Sequence, residues 1–113
     1  MKKVSLSSLP GQRVSHNTAI RKQVMVASGE IPHLVQFAQA IFIPGQIAAG
    51  HHHDDMTEVF FVESGQGKIT VDHEVCRLEP GVCLTVRPGE QHEVANDGNE
   101  DLVLTYFAIA HST

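Results

Sequence analysis

Gly45-Gln46-Ile47-Ala48-Ala49-Gly50-His51-His52-His53-Asp54-Asp55-Met56-Thr57-Glu58-Val59-Phe60-Phe61-Val62-Glu63-Ser64-Gly65 is the stretch that decides how this chain folds. His51 and His53 stand two residues apart. On a β-strand that spacing puts both side chains on one face, because side chains alternate with a period of two. Asp54-Asp55-Met56-Thr57 reads as a turn, and Glu58 opens the apolar run Val59 to Val62, a second strand. A hairpin of this kind gathers two imidazoles and a carboxylate. Downstream, His92 follows another strand-turn unit and supplies a fourth candidate ligand.

Short β-prone runs extend on both sides. Before the stretch, Arg21 to Ala27 is a candidate strand, and Leu34 to Ile43 is long, apolar and nearly continuous. After it come Lys68–Val71, Val75–Leu78, Val82–Val86, Gln91–Ala95 and Leu102–Ala110, with Gln46–His53 and Glu58–Glu63 inside the stretch itself. Turn signals separate them: Ser64-Gly65-Gln66-Gly67, Asp72-His73-Glu74, Glu79-Pro80-Gly81 and Asn96-Asp97-Gly98-Asn99. Pro88-Gly89 favours a type II turn, with proline at its second position and glycine at its third. Many short strands, such punctuation and no helical period predict an all-β sandwich or barrel.

The spacing resembles that of the cupin family. Gly45, His51, His53, Glu58 and Gly65 match its first motif at every defined position. Gly81, Pro88-Gly89, His92 and Asn96 resemble the second, which departs once: the family usually has proline where Arg87 stands. The resemblance implies a cupin-type jelly-roll β-barrel, with residues 14–113 as the barrel and 1–13 as an arm of the kind that often pairs with a neighbouring subunit. It also implies a metal site built from His51, His53, Glu58 and His92, with Glu58 able to double as proton acceptor.

Imidazole and carboxylate suit a divalent transition metal, and Fe, Mn, Ni, Zn and Cu all remain open on ligand type. Extending the two-residue alternation through the hairpin and the later strands puts Ile47, Phe60, Val62 and Val94 on the ligand face. Tyr106 and Phe107 lie on opposite faces of the last strand, and one of them lines the cavity; the spacing does not select which. The competing reading of His51-His52-His53 is a solvated polar turn. His52 alternates away from the site, and His16, His33, His73 and His111 fall in loops or at ends, where surface histidines are the default.

At 113 residues, 42% apolar and 19% charged, the chain reads as one globular domain with a modest core. A formal net charge of −5 disfavours nucleic acid. No run is long and apolar enough for a membrane helix, and residues 4–10 are too polar for the core of a signal peptide. The expected setting is cytoplasmic, with Cys76 and Cys83 as free thiols. No nucleophile–base motif and no phosphate-cradling glycine loop is present, so catalysis would run through the metal. The leading expectation is a metal-dependent enzyme with dioxygenase-type chemistry on a small organic molecule; the alternative is a metal-loaded binding or sensing module. The long strands are apolar on both faces and no helix is available to cover the outer one, which points to a homodimer.

Overall fold

The computed structural model describes residues 1–14 and 17–111, and for Arg13, Asn17, Thr18 and His51 it describes the backbone only. Ten strands follow one turn of 3-10 helix at Leu6–Ser8: β1 (Gln12–Val14), β2 (Asn17–Val26), β3 (Leu34–Phe42), β4 (Ile47–His51), β5 (Met56–Ser64), β6 (Gly67–Val71), β7 (Glu74–Leu78), β8 (Cys83–Val86), β9 (His92–Ala95) and β10 (Leu102–Ala110). They form a six-stranded sheet in the order β1-β2-β3-β10-β5-β8 and a four-stranded sheet in the order β4-β9-β6-β7, all pairs antiparallel. The two sheets close on each other as a jelly-roll barrel, the expected all-β class. Among the described residues no helix is long and apolar enough to cross a membrane.

β10 lies between β3 and β5 and organises the larger sheet. Its alternate residues Leu102, Leu104, Tyr106 and Ala108 are buried. Across the ladder, Ala38, Ala40 and Phe42 of β3 and Phe60 and Val62 of β5 share that inner face. Alternation alone produces this core, because one parity of each strand faces the barrel. The other parity faces out: Phe107 lies opposite both Phe37 and Val59, while Phe61 and Ile109 are exposed.

Three local features adjust the pattern. In β4, Ala48 pairs with Val94 but His51 pairs with His92, so one extra residue is accommodated at Ala49-Gly50. This bulge reverses the parity of the strand before it. Ala48 is therefore buried, and Ile47 is 45% exposed, which corrects the expectation that Ile47 shares the ligand face. In β3, Val35 is the extra residue between the pairs Gln36↔Ala108 and Leu34↔Ile109. In the β6–β7 hairpin, Asp72 and His73 both take positive φ (45° and 73°), the backbone of a two-residue type I′ turn.

Strand ends also differ from the sequence expectation. β4 stops at His51, two residues early, and β5 begins at Met56, two residues before Glu58. At His53 the backbone leaves the ladder, because its carbonyl accepts the Gly89 N–H at 2.8 Å instead. The arm binds its own chain: Gln23 Nε2 donates to the carbonyls of Leu6 and Leu9, and Lys2 Nζ contacts Glu30 at 2.6 Å. Cys76 on β7 and Cys83 on β8 lie in different sheets and are free thiols.

Candidate functional site

The barrel holds a half-open cavity of about 180 Å³. His53, Glu58 and His92 meet in its wall. Glu58 enters from β5, on the same parity as Phe60. His92 is the first residue of β9 and is 2% exposed. His53 comes from the loop between β4 and β5. Glu58 Oε1 lies 3.4 Å from His92 Nε2 and 3.8 Å from His53 Nε2. The backbone of His51 pairs with that of His92, while the side chain of His51 lies outside the described residues. Among the described residues no group of three or more His, Cys, Asp and Glu is placed to hold a metal ion. His52 is turned to the surface, 3.9 Å from Asp54. His33, His73 and His111 are exposed, and His16 lies outside the described residues.

The turn at Arg87–Glu90 holds the loops of the two motifs together. Glu90 N–H donates to the Arg87 carbonyl, and Gly89 has φ 81°, as a type II turn requires. From that turn Gly89 N–H reaches the His53 carbonyl. The shifted proline therefore keeps the turn, and His92 is directed inward. Asn96, the last residue of the second motif, is structural. Its amide donates to the carbonyls of Phe42 and Glu100, both at 2.8 Å, and its oxygen accepts the Gly98 N–H.

Of the expected pocket residues, Phe60, Val94 and Tyr106 line the cavity. Val62 is buried at 1% but packs in the core outside the lining, and Ile47 is exposed. Phe60 lies between His92 (ring centroids 5.9 Å, tilted) and Tyr106 (5.6 Å, stacked). Tyr106, not Phe107, faces inward. Burial pushes its phenol up to about 12, with the nearby charge of Glu58 adding to the effect. The ring thus carries a neutral O–H donor into the cavity at any ordinary pH. Sequence reasoning missed Val14, Lys22, Val35, Gln36 and Met56 in the lining, as well as Ala40, Phe42, Leu104 and Ala108. For Lys22 a signal existed: it interrupts the apolar parity set of Ile20 and Val24.

The comparisons with known proteins agree with this fold. The family model described as the cupin domain matches residues 39–109, more than half of the chain. The chain belongs to the cupin family. It is 29% identical over 65 residues to an uncharacterized protein of Methanocaldococcus jannaschii and spans about half (52%) of that relative's length. Its fold is similar to the crystal structure of a predicted oxalate decarboxylase from Thermotoga maritima, with a TM-score of 0.89 at 20% identity over 96% of this chain and 99% of the other. It is also similar to the polyketide cyclase RemF from Streptomyces resistomycificus, with a TM-score of 0.82 at 14% identity over 99% of this cupin and 80% of that chain. At these identities the likeness is one of fold.

Proposed function

We propose that this cupin is a metal-dependent enzyme acting on a small organic molecule, with His51, His53, Glu58 and His92 as the ligands. The observation that carries this is the meeting of two imidazoles and a carboxylate in the wall of a cavity lined mainly by apolar side chains. The donor set fits the group. Two donors bound to one ion at about 2.0–2.2 Å each lie no more than about 4.4 Å apart, and the Glu58 oxygen is 3.4 and 3.8 Å from the two imidazole nitrogens. Nitrogen and oxygen donors of this kind suit Fe, Mn, Ni, Zn or Cu. Such an ion supplies Lewis acidity and open positions for an oxygen-bearing substrate.

The chain's own residues do the rest. Glu58 serves as ligand and as proton acceptor beside it. Phe60 packs on the His92 ring and fixes its plane. Tyr106 offers a hydrogen bond without becoming an anion. Phe42, Val94 and Leu104 exclude water and hold the apolar body of the substrate.

Dioxygen-dependent chemistry on an enol, phenol or keto acid is the leading reaction class. A predicted oxalate decarboxylase and a polyketide cyclase on similar folds are a reminder that architecture alone does not choose it. Metal analysis of the purified protein, followed by oxygen uptake with candidate diketones and phenols, tests the proposal. About one first-row ion per chain, lost in His92→Ala, is expected. Metal bound without turnover of any candidate would favour the binding-module reading, and no metal at any stage would refute both.

A further inference from the structure

The cavity has a second polar group besides the histidine–glutamate cluster, and Gln36 and Glu58 are register partners of the same residue, Ala108. On β2, Ile20 is fully buried and Val24 packs on the core, so the strand turns this parity inward. Lys22 lies between them and lines the cavity. A lysine at an inward strand position of an apolar barrel is uncommon, and this one is half-buried, so its ammonium is not fully withdrawn from water. The described partner of Lys22 is Gln36, whose Oε1 accepts from Nζ at 3.3 Å. Gln36 lines the same cavity from β3, beside the Val35 bulge. Among the described residues Lys22 forms no ion pair with a carboxylate.

This arrangement leaves a surplus of one kind of hydrogen-bonding group. An ammonium has three donors and no acceptor, and one donor is directed at Gln36. With its carbonyl oxygen engaged, Gln36 retains its amide N–H₂, again a donor. Together the pair presents donors and positive charge, which complements an anionic oxygen. Cationic donors bind carboxylates more strongly than neutral ones. The size of the cavity narrows the ligand further. About 180 Å³ is below the roughly 300–1,000 Å³ usual for drug-sized ligands, so the guest is a small molecule.

We propose that Lys22 and Gln36 form the specificity site for a small organic acid. Its carboxylate docks on this pair while the body of the molecule extends between Phe60 and Val94 toward His53, Glu58 and His92. This inference rests on the enzyme reading for the identity of the reacting end, but carboxylate capture itself does not need a metal. A neutral diketone or phenol of the same size lacks the group that Lys22 and Gln36 recognise. The acid is thereby selected, and its approach to the cluster is oriented by its carboxylate.

The test is calorimetric titration of metal-free and metal-loaded protein with benzoate and pyruvate, and with the neutral analogues benzamide and methyl pyruvate. The proteins are wild type, Lys22→Met, Lys22→Arg and Gln36→Leu. The acids should bind wild type in both metal states, at least about tenfold more tightly than their neutral analogues, as a charged hydrogen bond implies. Lys22→Met should lose that preference, Lys22→Arg should keep most of it, and Gln36→Leu should weaken it. The metal content of Lys22→Met should match wild type, which separates carboxylate recognition from the metal site. Equal binding of acids and neutral analogues, full affinity in Lys22→Met, or no saturable binding of either acid would overturn the proposal. Absence of metal with a retained, Lys22-dependent preference for acids would refute the enzyme reading and leave this one standing.

Discussion

Tyr106 offers a direct physical check on the cavity. It is the one tyrosine in a chain without tryptophan, so tyrosinate absorbance in the near ultraviolet reports this residue alone. Burial, helped by Glu58, raises its pKa from 10.0 to about 12. Below about pH 10 the phenol is neutral in folded and unfolded chains alike, and the shift has no effect on stability. Between about pH 10 and 12 the unfolded chain ionises while the folded one holds its proton. The unfolded state then binds fewer protons, so stability falls as pH rises. Two units at about 1.4 kcal/mol each amount to a loss of roughly 2–3 kcal/mol. Urea unfolding of wild type and Tyr106→Phe across this range isolates the effect, because other titrating groups cancel in the difference. The stability of wild type relative to the variant should drop by roughly 2–3 kcal/mol between about pH 9 and 12. In the folded protein the absorbance should titrate well above the free phenol, and Glu58→Gln should move it part of the way back. A midpoint near 10, or a difference that does not change with pH, would show that the phenol faces water and that the cavity is wrongly placed.

Gly65→Ala should cost about 2–4 kcal/mol in urea unfolding, combining an unfavourable φ with overpacking: φ is 84° and an added Cβ would lie 2.1 Å from the Asp101 carbonyl oxygen. Titration of metal-free protein with Ni(II) or Mn(II) to about 100 times Kd should add roughly 2.7 kcal/mol of stability. Glu58→Gln should weaken metal affinity by at least the roughly 10–100-fold typical of outer-shell partners, and an unchanged affinity would remove Glu58 from the ligand set. We also propose that the outer face of the larger sheet, where Phe61 and Ile109 are 39% and 38% exposed, is covered by a second copy of the chain. Sedimentation should give a dimer that Phe61→Arg dissociates, and a monomeric wild type would refute this.

The barrel was legible because its signals are local and repeated. Turn residues recur between runs of alternating or continuous apolar residues, and each run became a strand. Leu102–Ala110 even kept its expected limits. The histidine and glutamate spacing was also legible, since it is a property of the chain and not of its packing. What failed was the extension of parity across an irregularity. Gly50 inside the strand is a bulge signal, and parity extended straight across it misses that the bulge exchanges Ala48 for Ile47 on the inner face. Val62 failed differently: its inward parity was right, but Phe60 and Leu104 line the cavity in a layer that does not include it.

Lys22 marks a deeper limit of sequence reading. In the run Ala19-Ile20-Arg21-Lys22-Gln23-Val24, Lys22 shares its parity with Ile20 and Val24, but the usual expectation puts adjacent cations outside. Pairing decides otherwise. Lys22 lies opposite Ala40, whose inner face is core, while Arg21 lies opposite Ile41 on the outer one. Which cation enters the barrel is therefore fixed by the register of β2 against β3, a non-local property. The same holds for Gln36, which reaches the cavity beside the bulge at Val35. The residues that would hold an ion are written in a spacing that sequence can show. Those that would choose the substrate are set by how two strands slide past each other before they pair, so parity hints at Lys22 in the sequence but only the folded chain fixes its place.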